Sequence, residues 1–194
     1  MNILEMKIKQ ATSGEKEERR SAIDIPGCNE RERDEILKLL FHKIPEKGFM
    51  LKPNFRKLVF SVFLSIVLPL AGFFAFGNYI EPQFLEFVYL TPIYIVFVGL
   101  IVYFGFRNNR LFVNDHFIIK QSGAWDIDNE IIELDKIQAL TTSQLFWHKS
   151  ADIGYITIHT AGGNVAFQLG DYTKIKHYVN LWLYEIETSD SNWM

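Results

Sequence analysis

Leu58–Gly77, LVFSVFLSIVLPLAGFFAFG, is a stretch of 20 residues without a charged side chain. A helix rises about 1.5 Å per residue, so this stretch can cross the roughly 30 Å hydrocarbon layer of a bilayer. A second apolar stretch, Phe84–Phe106, follows after six residues and carries one charge, Glu86, near its start. The short connection predicts an antiparallel hairpin of two transmembrane helices. The alternative is a buried hairpin, but a chain of 194 residues rarely buries two helices that are apolar on every face.

Positive charge flanks both apolar stretches and is absent from the turn between them, which carries Glu81. The flanking bases are candidate membrane-interface residues: Lys52, Arg56, Lys57, Arg107 and Arg110. Because Lys and Arg are retained on the cytoplasmic side, the sequence predicts a multi-pass protein of the cytoplasmic membrane with both termini in the cytoplasm. A cleaved signal peptide is not expected, since the first 57 residues are strongly charged.

The two flanking segments differ in charge. Residues 1–57 hold 13 Lys and Arg against 10 Asp and Glu, whereas residues 107–194 hold 7 against 11. A net acidic C-terminal segment disfavours nucleic acid and anionic lipid head groups as partners. The lone Cys28 has no cysteine with which to form an internal disulfide, in agreement with a reducing compartment.

After Arg110 the continuous apolar pattern gives way to short apolar runs separated by turn residues such as Asn114-Asp115. This pattern is typical of antiparallel strands. From Tyr172 to Glu187 the apolar residues fall on one face of a helix, and Asp171 is its predicted N-cap. The segment therefore predicts a small, strongly bent sheet that a C-terminal helix closes.

Two groups of residues in this segment carry a resemblance to a known family. The first group is Lys136, Ile137, Gln138 and Gln144; the second is Thr160, Ala161, Gly162 and Gly163. In this order, and after a membrane hairpin, these residues resemble the bacterial pleckstrin-homology-like (PH-like) domain of membrane proteins of the YdbS/YdbT type. The resemblance covers about residues 50–188. The resemblance implies a bacterial membrane protein with a cytoplasmic PH-like α+β domain, which is a bent antiparallel β-barrel capped by a C-terminal helix. It implies no enzyme activity and a link to envelope defence against antimicrobial peptides.

The chain departs from that family between residues 145 and 152. Family members often carry Arg there, whereas this chain has Lys149 as its only certain base. The adjacent Phe146 and Trp147 are expected to pack in the core, with anchoring in the membrane interface as the alternative.

The N-terminal segment repeats the end of the C-terminal domain. Residues 6–10 with Thr12-Ser13-Gly14, and then residues 22–25, match the last two strands. A helix from about Glu30 to Lys43, capped by Asn29, corresponds to the helix after Asp171. We expect residues 1–47 to be the tail of an upstream PH-like repeat, with a charged amphipathic leader as the alternative. Residues 48–57 are then a basic juxtamembrane linker, 58–106 the helical hairpin (58–77 and 84–106), 107–188 the PH-like domain and 189–194 a flexible tail.

The sequence offers no converging catalytic group. Its five histidines are scattered, with no spacing that would hold a metal, and no Gly-rich loop opens a helix. We expect no catalytic, cofactor-binding or metal-binding residue. The leading hypothesis is a non-catalytic scaffold in the bilayer that binds a related PH-like membrane protein or a second copy of itself. A module that binds lipid head groups is the second hypothesis, and a membrane-proximal enzyme whose residues only the fold assembles is the third.

Overall fold

A computed structural model of the chain describes residues 4–9 and 22–188. The predictions for Thr12-Ser13-Gly14 and for the tail 189–194 lie outside these residues. The strands are β1 Leu4–Lys9, β2 Ala22–Cys28, β3 Phe49–Leu51, β4 Arg110–Val113, β5 Phe117–Ser122, β6 Asp128–Glu133, β7 Ile137–Ser143, β8 Ile153–Thr160 and β9 Gly163–Asp171. The helices are α1 Glu30–Phe41, α2 Phe55–Tyr79, α3 Thr91–Asn108 and α4 Tyr172–Thr188.

The two apolar stretches form long helices. The first, α2, has 25 residues and contains a π-helical turn at Phe63–Val67. The second runs from Pro82 to Asn108 as 27 residues, of which Pro82–Leu90 is 3₁₀-helical and the remainder is α3. Both are long and apolar enough to cross a membrane, and the apolar window of neither is buried within the protein.

A cross-helix hydrogen bond offsets the defect that Pro69 introduces into α2. In a regular helix the carbonyl of Ser65 accepts from the N–H of residue 69, and proline has no N–H. The Tyr94 hydroxyl of α3 donates to that Ser65 carbonyl at 2.6 Å. Neighbouring helices commonly satisfy a carbonyl that a proline has freed in this way. The bond therefore ties the two long helices together at the proline.

The strand β3 lies inside the stretch 48–57, where the sequence predicts a linker. It pairs with β4 in antiparallel register, with Leu51 opposite Leu111. The linker expectation is wrong for these residues, because Leu51 is buried in the core and its strand extends the sheet. The two long helices are consequently an insertion between two paired strands.

The remaining strands form two antiparallel sheets in the orders β3-β4-β5-β6 and β7-β8-β9. We call these two sheets together with α4 the sheet domain. Side chains from both sheets meet the apolar face of α4, where Ile175, Val179 and Trp182 recur at helical spacing and are buried. The helix begins as predicted, since the Asp171 side chain accepts from the backbone N–H of Lys174 at 3.0 Å.

The described strands do not form the closed barrel that the sequence led us to expect. On one side the sheets meet through a single bridge between Pro53 and Gly170, next to a hydrogen bond of 2.7 Å from the Asn54 N–H to the Leu169 carbonyl. Proline cannot donate to a strand ladder, so the pairing does not extend. On the other side the 3₁₀ turn Leu134–Lys136 separates β6 from β7. The architecture is two sheets around one core, with a helix across them.

The N-terminal strands and helix form a small unit of their own. The strands β1 and β2 pair antiparallel, and α1 begins with the predicted capping box, in which the Asn29 N–H donates to the Glu32 carboxylate at 2.8 Å. Leu37 is buried, whereas Leu39 remains 79% exposed. The unit contacts the sheet domain through Phe41, whose ring meets that of Phe117 edge-on at 5.4 Å.

Candidate binding site

The sheet domain has two opposite ends. The end where the long helices attach, which we call the helix end, comprises residues 52–54 and 109–110 with the loops 123–127 and 144–152. The opposite end, which we call the far end, comprises the turns 114–116, 134–136 and 161–162. Strands of six residues, such as β5, separate the two ends by about 20 Å.

The structure brings the five predicted interface bases together at the helix end. Lys52 follows β3, Arg56 and Lys57 lie in the first turn of α2, Arg107 lies in the last turn of α3 and Arg110 begins β4. The Arg110 Nε donates to the Arg107 carbonyl at 3.1 Å. The grouping follows from the β3–β4 pairing, which holds the start of α2 beside the end of α3.

Most of the residues that carry the family resemblance lie at the far end, where they have structural roles. Ile137 is buried in the core and lies opposite Thr160 in the ladder. The Thr160 hydroxyl donates to the Gly163 carbonyl at 2.8 Å, and Gly163 has φ +124°, which favours glycine. Ala161 and Gly162 form the turn between them.

The polar members of that set do not converge on a ligand. Lys136 donates to its neighbour Asp135 at 2.9 Å, and this hydrogen bond raises the pKa of Lys136 above its ordinary value. Gln138 is exposed on β7. Gln144 follows β7 at the helix end, away from the others.

A cavity of about 660 Å³ opens at the far end, between the sheet domain and the segment that follows α1. Its lining residues are Phe41, Lys43, Asp115, His116, Phe117, Glu133, Leu134, Asp135, Glu185 and Ile186. These residues come from segments far apart in the chain, so sequence reasoning had no pattern from which to find them. The only sequence signal is the acidic balance of residues 107–194.

The cavity combines an apolar floor with an acidic rim. Asp115, Glu133, Asp135 and Glu185 contribute four carboxylates, of which Asp135 pairs with Lys136 at 2.9 Å. Lys43 is a base of the lining, and its Nζ lies 3.1 Å from His116 Nε2. Burial raises the pKa of the Glu133 carboxyl, and the neighbouring Asp135 raises that pKa further, against the opposing charges of Lys136 and His42. Among the residues that the structure describes, Glu185 Oε2 is shielded from solvent and has no hydrogen-bond partner. The site therefore suits a group that is positively charged or donates hydrogen bonds.

The described ranges 4–9 and 22–188 contain the residue types that ligate metal ions, which are His, Cys, Asp and Glu. No group of three or more His, Cys, Asp or Glu in these ranges could hold a metal ion. His159 lies on a strand, with Nε2 2.9 Å from the Thr141 hydroxyl and Nδ1 2.8 Å from Asn164 Oδ1. Its ring is thus held by two side chains on the surface of the sheet.

The family model of the bacterial PH domain matches residues 56–180, which is more than half of the chain. The chain belongs to the bacterial PH domain family. PH domains are generally non-catalytic, so the match supports a binding module. No curated protein and no solved structure gives a significant match to the chain.

Proposed function

We propose that the chain is a non-catalytic membrane protein whose PH-like domain binds another protein through the far-end cavity. The two long helices are its anchor, and both termini lie in the cytoplasm of a bacterial cell. The partner is a related PH-like membrane protein or a second copy of this chain. The link to envelope defence that the family resemblance implies stays a prediction.

The observation that carries the proposal is the exposure of the two long helices. They are apolar on all sides, and their apolar windows are unburied over 18 residues each. Leaving so much apolar surface in water is costly at about 25 cal/mol per Å², whereas hydrocarbon accepts it. The five bases at the helix end support the same arrangement, because Lys and Arg are retained on the cytoplasmic side.

The cavity supports a protein partner with a basic contact residue. It lies at the end of the domain away from the helices, so a bilayer around α2 and α3 leaves it accessible. Its apolar floor includes Phe117 and Leu134, and its rim carries four carboxylates. A Lys or Arg side chain of a partner would bury its apolar stem on this floor and donate to the rim.

The lipid head-group hypothesis has weaker support from the same contacts. Lys120 pairs with Glu130 at 3.3 Å, and Lys136 pairs with Asp135 at 2.9 Å. Lys149 is an exposed base on the helix-end loops, and it adds only about 1 kcal/mol to the attraction that the five interface bases already have for an acidic leaflet. Hydrogen exchange of loop 144–152 in nanodiscs tests this alternative: protection that needs anionic lipid would favour it.

The proposal is tested by purifying the full chain from membranes in mild detergent and identifying what remains bound. We compare the variant Asp115→Asn/Asp135→Asn with the control variant Asp126→Asn/Asp128→Asn, which removes the same charge at the helix end. Exposed charge pairs contribute up to about 1 kcal/mol each, so the cavity variant should bind its partner about three- to ten-fold more weakly at low salt. The control should bind as the native chain does. Equal binding by the two variants, or a monomer that retains no partner, would overturn the proposal.

A further inference from the structure

Four large apolar side chains on the two loops of the helix end are more than half exposed. Trp125 and Ile127, in the loop between β5 and β6, are 63% and 51% exposed. Phe146 and Trp147, in the 3₁₀ turn between β7 and β8, are 75% and 54% exposed. The expectation that Phe146 and Trp147 pack in the core is wrong, because both side chains are exposed on this turn. We call these four residues the apolar loop tips.

The first loop is fastened to the end of α3. The Asn108 side-chain amide donates to the carbonyls of Gly123 at 3.1 Å and Ala124 at 3.3 Å. The Trp125 ring lies 5.8 Å from the ring of Phe104, which is four residues, or about 6 Å, inside the end of the helix. Trp125 therefore lies at the depth where the long helix leaves its apolar stretch.

The second loop lies beside the start of α2. Gly170 of β9 pairs with Gly154 of β8 and also forms the bridge to Pro53, two residues before α2. The Asp152 carbonyl, just after the 3₁₀ turn, accepts from the Tyr172 N–H at 2.9 Å. This strand end and its preceding turn are thus held next to the point where the chain enters α2.

We propose that the apolar loop tips insert into the interfacial layer of the bilayer and hold the sheet domain against the membrane surface. This inference rests on the proposed function, because it needs the two long helices to span the bilayer. Trp is enriched at membrane interfaces, where its apolar ring and polar N–H face different surroundings. The occupant is lipid rather than protein because the first loop is fastened to the end of α3 and the second lies next to the start of α2, so both loops border the apolar helices.

Bromine quenching of tryptophan fluorescence tests the insertion in the full chain. The chain is reconstituted into liposomes that contain phosphatidylcholine brominated near the head group, with Trp193→Phe in every variant. Emission then comes from Trp125, Trp147 and the buried Trp182 of the core. Because the two loop tryptophans are the emitters in contact with lipid, quenching should fall about three-fold in the variant Trp125→Phe/Trp147→Phe. Each of the single variants Trp125→Phe and Trp147→Phe should lose part of the quenching.

A matched control places a tryptophan near the far end. Tyr184 is 67% exposed on α4, about 18 Å along that helix from its start at the helix end. Tyr184→Trp in the double variant should remain unquenched. Strong quenching of Tyr184→Trp, or undiminished quenching in the double variant, would overturn the inference.

Flotation of the same liposomes after an alkaline wash separates this inference from the proposed function. A chain that floats while its loop tryptophans are unquenched keeps its anchor and refutes the insertion of the loop tips. A chain that does not float refutes both.

Discussion

The substitution Tyr94→Phe isolates the hydrogen bond that joins the two long helices at Pro69. It removes the hydroxyl that donates to the Ser65 carbonyl at 2.6 Å and leaves the ring in place. A carbonyl left without a donor in an aqueous protein costs about 1–3 kcal/mol. Hydrogen bonds between membrane helices average about 0.6 kcal/mol and reach about 1.7. We therefore expect a loss of about 1 kcal/mol, which is roughly a five-fold change in the unfolding equilibrium.

The substitution Pro69→Ala should make the Tyr94 hydroxyl less important for stability. Alanine restores the N–H that a regular helix directs at the Ser65 carbonyl. In the Pro69→Ala background, Tyr94→Phe should therefore cost less than about half of its cost in the native chain. The effects of the substitutions at Tyr94 and Pro69 on stability should therefore be non-additive, although the two residues lie on different helices.

Unfolding by SDS in mixed micelles, followed by circular dichroism, measures the four members of this cycle. Tyr103→Phe is the matched control, since Tyr103 lies on the same helix and its hydroxyl makes no hydrogen bond within the described part of the chain. It should change stability little. If Tyr94→Phe costs the same in both backgrounds, the hydroxyl does not replace the missing donor and the reasoning is refuted.

Three further predictions concern the sheet domain and the topology. Gly123 has φ +106°, and a side chain there would meet the backbone carbonyl of Asp126. Gly123→Ala should therefore destabilise the protein by about 1–3 kcal/mol, as measured by thermal melting. The control Gly72→Ala should not destabilise it, because a side chain at Gly72 of α2 would meet open space. The pKa of the Glu133 carboxyl is raised above its ordinary value in the folded protein. The folded state therefore binds the proton of this carboxyl more tightly than the unfolded state does. As a result, the stability of the protein falls as the pH rises through the raised pKa. Glu133→Gln should flatten the dependence of the melting temperature on pH above the ordinary pKa of glutamate, and an unchanged profile would assign that dependence to another group. A reporter that is active only outside the inner membrane should be active when placed at Gln83 and silent after the C-terminus, and the reverse pattern would contradict the proposed topology.

The sequence predicted those parts of the fold that local patterns encode. The two apolar stretches, the capping box at Asn29 and the N-cap at Asp171 each depend on residues within a few positions of one another. Each of them is a helix or a helix start in the structure. The short apolar runs and turn residues after Arg110 likewise predicted the strands of the sheet domain.

The parts that the sequence did not predict depend on contacts between distant segments. The strand β3 has only three residues, Phe49–Leu51, and its pairing with β4 spans the whole helical hairpin, so no local pattern distinguishes it from a linker. The open arrangement of the sheets depends on Pro53 meeting Gly170, more than 100 residues later.

The candidate site was unpredictable for the same reason, and one choice within it was wrong. The carboxylates Asp115, Glu133 and Glu185 converge only after β4–β5, β6 and α4 are assembled. For Phe146 and Trp147 the sequence favoured core packing because adjacent aromatics are usually buried. The 3₁₀ turn that contains them makes both exposed, and only the fold places that turn beside the entry to α2.

The insertion of the helical hairpin between two paired strands leaves short connections between the long helices and the sheet. Three residues join Leu51 to the start of α2, and Asn109 alone joins α3 to β4. Both connections are too short to act as flexible tethers, and the Leu51–Leu111 pair holds them side by side in the core. We therefore expect a change in the tilt of either helix to move β3 and β4 with it. Because β4 pairs with β5 and β5 with β6, a single antiparallel sheet runs from the connections to α2 and α3 to the acidic rim at Asp115 and Glu133.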